Sequence, residues 1–195
     1  MSYTAPVAKV IADPVLIDKE IKDIQTQMAA IPWIDKSFGR AFKHFKLVDG
    51  VKVSYPAIYQ GLKKDYYNAY PNDHLKAYSF VFVDPSSVTE FNVKRSHSIE
   101  QSLSVIVFFD LDEIDTALDY RFTEKLKEDV IFALSSLRPT RLEINNITDD
   151  VEESFNDFTP SEIKSQFLKA RFGAFKFECT SFYFNDNCAL NIFTP

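Results

Sequence analysis

Glycine, cysteine and histidine are all scarce in this chain. Only four of its 195 residues are glycine, Gly39, Gly50, Gly61 and Gly173, and no Gly-x-Gly-x-x-Gly, Gly-x-x-x-x-Gly-Lys-Ser/Thr or Gly-x-Ser-x-Gly arrangement occurs. Those motifs use glycine to bring backbone close to a phosphate or to hold a nucleophile on a tight turn. The chain is poorly equipped to build them, and catalysis has little support. Its two cysteines, Cys179 and Cys188, fit neither a disulfide-rich scaffold nor a Cys-x-x-Cys knuckle and read as small hydrophobes. His44, His74 and His97 stand apart from one another and from both cysteines, so no clustered zinc framework is expected. A run of about 18 apolar residues is also missing, and MSYTAPVAKVIADPVLIDKEIK has no apolar core behind a basic leader. Neither membrane spanning nor secretion is expected. Positive charge is in deficit, with 22 Lys and Arg against 28 Asp and Glu, which removes any global pull towards nucleic acid.

Aromatic rings are abundant. Nineteen Phe and nine Tyr are enough to fill a core and leave rings over for partners. A chain of this length folds by default as a single domain, residues 1–195, that buries about two-thirds of its surface unaided.

Periodicity gives an α+β fold. Asp13-Pro14 has the chemistry of a helix start, and Ile17, Ile21, Ile24, Met28 and Ile31 then recur at helical spacing until Pro32. PWIDKSFGRAFKHFKLVDG mixes Trp33, Phe38, Phe42 and Phe45 with basic residues and reads as a short helix or a ring-packed loop. Lys36, Arg40, Lys43 and Lys46 there form a local positive surface, read first as a solvated face and second as a phosphate contact. Val51 to Tyr55 alternates as a strand closed by Pro56, and Tyr70-Pro71-Asn72-Asp73 reads as a turn. Leu75 to Val83 and Ser102 to Leu111 are the long strands, expected in one sheet. The second is apolar on both faces near its end, so it needs cover from helices, another layer or another subunit.

Thr123 to Leu137 reads as a helix and Leu142 to Ile144 as a short strand. The acidic stretch that follows lacks periodicity and is expected to project as an arm at about residues 145–160, with Phe155 and Phe158 docking on a neighbour. Thr159-Pro160-Ser161-Glu162 has the pattern of a capped helix reaching about Ala170. Phe175, Phe177 and Cys179 then alternate as a strand, a phase that Phe182, Tyr183 and Phe184 blur as a bulge or a subunit contact would.

Asp110, Asp112, Glu113 and Asp115 lie beyond a strand end, where carboxylates sometimes hold Mg²⁺. They lack the spacing and central glycine of an EF-hand loop, and capping or solvation is the better reading. Asp149, Asp150, Glu152 and Glu153 read as solvated. Tyr78, Phe80 and Phe82 share a strand face on which bases could stack, but without basic flanks a packed core or protein interface explains them better. No catalytic residue, metal ligand or cofactor is assigned.

The amphipathic first helix, VSYPAIYQG, YPNDHLKAYSFVFVD, SIEQSLSVIVFFDLDEI, YRFTEKLKEDVIFAL and the final aromatic strand together cover most of the chain. In that order they resemble the small tail-terminator and neck proteins of long-tailed or podovirus-like bacteriophages, particularly those encoded beside the portal in phages of Bacteroidetes. The resemblance implies an antiparallel or mixed sheet flanked by helices. It also implies a structural virion protein, assembled in the host cytoplasm as a sixfold or twelvefold homo-oligomeric ring. Such a ring joins the portal or connector to the tail around the DNA passage, with only transient contact to passing DNA. Interface positions expected are Tyr55 and Tyr59 from the resemblance, Phe155 and Phe158 from the acidic arm, and Phe182 and Phe184 from the blurred strand phase. The competing classes are a non-catalytic bacterial accessory or protein-binding domain and, further off, a divergent metal-dependent enzyme.

Overall fold

The computed structural model describes residues 5–61, 65–85, 90–92, 98–114, 122–137 and 142–184. The isoleucine stripe forms α1 (Ile17–Ala29), buried through Ile17, Ile21, Ile24 and Met28. Asp13-Pro14 does not open it. The capping residue is Leu16, at φ 49°, and the Asp18 and Lys19 N–H groups are taken by the Val15 and Leu16 carbonyls at 3.0 Å. Main chain thus satisfies the first-turn donors that the Asp13 carboxylate was expected to serve.

The segment expected to be a helix or loop is a thirteen-residue strand, β1 (Lys36–Val48), paired antiparallel with β2 (Val51–Tyr59). Asp49 and Gly50 connect them, both at positive φ (48° and 79°), the geometry of a two-residue hairpin turn that follows strand twist. Pro56 lies inside β2 opposite Lys43 rather than closing it. The remaining strands are β3 (Tyr66–Asn68), β4 (Ala77–Phe82), β5 (Glu90–Asn92), β6 (Ser98–Asp110), β7 (Leu142–Thr148) and β8 (Phe172–Phe184). They form one sheet in the order β3-β2-β1-β4-β6-β8-β7, with β5 on β6. β1 and β4 run parallel while the other pairs are antiparallel, so the sheet is mixed and the fold is α+β. The two long strands anticipated from sequence are neighbours, Ala77 to Phe82 facing Phe109 to Ser104.

Alternation sends the two faces of the sheet into different cores. One face carries Val81, Val105, Val107, Phe175 and Phe177 and is covered by α1 and by α3 (Thr123–Ser135) through Leu126, Val130 and Leu134. The other carries Phe38, Tyr78, Phe80, Phe82, Phe108 and Phe172, under a layer that includes Phe155, Phe158 and Phe167. Both faces of β6 are therefore covered from within the chain, and its double-sided apolarity no longer speaks for a subunit contact. Tyr78, Phe80 and Phe82 are buried and present no stacking platform.

The second layer also replaces the projecting arm. Strand β7 pairs with β8, and Asp150 then caps α4 (Val151–Ser154), its carboxylate accepting from the Glu153 N–H at 2.9 Å. That turn keeps Glu152 and Glu153 outside and sends Val151, Phe155 and Phe158 inward. Phe155 is fully buried, 5.8 Å from the Tyr70 ring and 6.1 Å from Phe80, and Phe158 lies 4.9 Å from Phe82. The acids betrayed the outer side of a turn, not a detached segment. Thr159-Pro160-Ser161-Glu162 gives only a 3₁₀ turn, Pro160–Glu162, followed by another at Ser165–Leu168, because the Thr159 hydroxyl is taken by Ser54 instead of capping a helix. Along β8, thirteen residues pair with β6 without a break, so the blurred phase is not a bulge in that ladder. The register shift lies in β7, between Ile144 and Asn146.

Candidate interaction surface

Strand β1 begins as core and ends as surface. A register shift between Ser37 and Arg40 resets its phase, so that Phe38 and Ala41 on either side of Arg40 are both buried, and residues 42–52 are exposed almost throughout. Phe45 is 53% exposed, Leu47 76% and Val51 63%. The β1–β2 hairpin therefore carries an apolar tip beyond both layers.

At its base, register places Phe42, His44, Tyr55, Tyr59 and Tyr66 on one face. The Tyr66 ring centroid lies 4.2 Å from His44, 5.4 Å from Tyr59 and 6.4 Å from Phe42, and His44 is 6.1 Å from Tyr55. Cations rest on these rings: Lys9 is 5.3 Å from the Tyr59 centroid and Arg40 5.3 Å from Phe42, while on the opposite face Lys52 is 4.1 Å from Phe45. Residues 36–53 hold Lys36, Arg40, Lys43, Lys46 and Lys52 against the single acid Asp49, a charge of +4; the chain's −6 leaves −10 on everything else. Of the cations expected to form a local basic surface, Arg40 pairs with Asp18 at 3.7 Å and Lys46 with Glu162 at 2.7 Å, while Lys43 is exposed on the hairpin together with Lys52.

The exposed edge of β2 is sealed by side chains from far along the sequence. The Ser54 N–H donates to the Thr159 hydroxyl at 2.8 Å, and the Ser54 carbonyl accepts from the Thr159 N–H at 3.2 Å. The Tyr70 hydroxyl sits 2.7 Å from that same carbonyl oxygen and accepts from the Thr159 N–H at 3.0 Å. Burial pushes the Tyr70 phenol well above its ordinary value, so it remains a proton donor. Farther on, the Pro56 carbonyl accepts from Ala69 at 2.9 Å, and β3 covers the rest. Beyond Ser54 the tip stands without these clamps.

Of the six expected interface residues, Tyr55 and Tyr59 come together here. Phe155 and Phe158 do not: they are core, and their assignment to a docking arm is corrected. Phe182 is half-buried opposite Glu100, and the Phe184 side chain lies outside the described residues, as do His97, Asp115 and Cys188. Sequence reading missed Leu47, Val51 and Tyr66 and the exposure of Phe42 and Phe45. Asp49-Gly50 between alternating apolar residues was the signal that would have found them.

The acidic clusters have structural engagements. Asp110 is buried, pairs with Arg171 and accepts from the Asp112 N–H at 3.1 Å. Lys127 lies 2.8 Å from Asp149 and holds that carboxyl below the usual carboxylate range, chiefly through the hydrogen bond. Burial, aided by Glu178, pushes the Cys179 thiol up to about 12, leaving it protonated at neutral pH. Among the described residues no three His, Cys, Asp or Glu side chains gather as a metal site, and no helix is long and apolar enough to cross a membrane. Neither models of known protein families nor curated proteins match this chain.

Proposed function

We propose that the chain is a structural subunit that works by contact rather than by making bonds. Specifically, it forms a homo-oligomeric ring in the neck of a bacteriophage particle, or at the head-proximal end of its tail, linking the portal or connector to the tail around the DNA passage. The observation that carries this reading is the hairpin tip, where Phe45, Leu47 and Val51 are held in solvent on a strand pair whose root is clamped. Exposed apolar side chains grouped on a rigid element mark a contact surface. Charge supports the passage: with −10 outside the hairpin segment, most of the surface repels a DNA backbone, and a lumen lined by it lets the duplex slide without adhering. The resemblance to neck proteins supplies the setting, the virion, and the sixfold or twelvefold symmetry.

Cryo-electron microscopy of the intact particle tests the reading. Density for this chain in a closed ring between capsid and tail is the expected result. Absence from purified particles, together with a protein that stays monomeric across concentration, would sink the ring and favour the accessory protein-binding alternative.

A further inference from the structure

A second apolar surface lies at the opposite end of β1. Where α1 meets α3, Ala30, Ile31, Pro32, Phe132 and Ala133 line a groove of about 610 Å³, a volume suited to apolar side chains. Phe132 stands 77% exposed at its mouth, and Lys125, Glu128 and Asp129 form part of the rim. Lys125 is bonded to both acids, at 3.0 Å and 2.9 Å, so the three together leave one net negative charge.

We propose that the hairpin tip of one copy seats in the α1–α3 groove of the next, a head-to-tail contact that rests on the ring reading above. Three observations commit the occupant to a second copy. The surfaces match in chemistry: one face of the tip offers Phe45 and Leu47, and the groove offers Ala30, Pro32 and Phe132. They match in charge, since Lys46 is held by Glu162 at 2.7 Å while Lys43 and Lys52 flank the apolar tip and meet an acidic rim. They are also separated: β1 starts at Lys36, just after the groove, and runs thirteen residues to the tip, about 40 Å of strand. A tip therefore lies far from its own groove, and tip-to-tip pairing would set lysine against lysine. Contact between unlike surfaces repeats from copy to copy and closes into a ring when the rotation allows.

Sedimentation velocity of the full chain across concentration reads this contact. Leu47→Asp and Phe132→Asp alter exposed side chains, so unchanged unfolding midpoints confirm that both variants fold. Each is expected to weaken assembly about tenfold or more, as loss of an apolar anchor does. Mixing the two variants leaves one good tip and one good groove, so heterodimers form and nothing larger. Lys52→Glu weakens assembly and Glu128→Lys in the same chain restores it. Assembly that survives both aspartate variants overturns this contact but leaves the ring reading standing. A monomer at every concentration overturns the contact and counts against the ring. If the aspartate variants leave assembly intact while Lys43→Glu with Lys52→Glu abolishes duplex DNA retention in a gel, the tip is a nucleic-acid surface instead.

Discussion

Two sets of phenylalanines in this protein have opposite fates. Phe155 and Phe158 sit in the most acidic stretch of the chain and end in the core; Phe42 and Phe45 sit in the most basic and end in solvent. Local polarity does not decide a ring's burial. The geometry of the turn that presents it does: a cap at Asp150 folds one pair inward, and a positive-φ turn at Asp49-Gly50 carries the other pair away from the layers.

The contrast breaks most sharply at Phe155. Phe155→Ala empties a fully buried site and is expected to cost about 3–5 kcal/mol in urea unfolding, whereas Phe45→Ala stays within about 0.5 kcal/mol. Equal losses would mean that the hairpin packs in the isolated chain. Next in size is Gly173→Ala. A Cβ there falls 2.5 Å from the Phe109 ring, itself fully buried and unable to withdraw, so overpacking of about 1–3 kcal/mol is expected in the same measurement. Tyr70→Phe keeps the ring against Phe155 but removes the hydroxyl from Ser54 and Thr159, for about 1 kcal/mol, with faster amide exchange at Thr159. Unaltered exchange there would show that the edge is held by Thr159 alone.

The smallest effect concerns the acids. Lys127 lowers the Asp149 pKa in the folded protein, so the pair stabilises above the unfolded carboxylate value of about 3.9 and loses that contribution as pH falls through the folded value. The Asp149 side chain is 61% exposed, which screens the pair to under about 0.5 kcal/mol. Asp149→Asn should therefore flatten the acid limb of the stability profile slightly, and added salt should erase the difference.

Much of the fold was legible because period dictates it. The isoleucine stripe of α1, the alternation in β6 and the stripe of α3 each fix an element with no knowledge of its partners. Strand β1 escaped because Phe38, Phe42 and Phe45 are spaced four and three apart, which imitates a helix. A register shift turns Phe38 and Phe42 to opposite faces, and Phe42 and Phe45 fall on opposite faces of a hairpin exposed on both. The helix expected after Thr159 failed for a different reason: its capping oxygen was claimed by Ser54, a competition between distant residues that no local window contains. Tyr55 and Tyr59 lie at the base of the candidate surface, while the tip stayed hidden behind the misread strand.

The clamp on Ser54 sets a schedule for synthesis. Its partner Thr159 lies 105 residues downstream, so as the chain leaves the ribosome the part of the β2 edge around Ser54, which β3 does not cover, stays open until that stretch has been made. At about 5–20 residues per second this exposes an unpaired strand edge beside an apolar hairpin for roughly 5–20 seconds. Nascent chains crowded on one message are the species most prone to wrong pairing, and a chaperone that shields β2 during that interval would raise the yield of folded protein without altering its final stability.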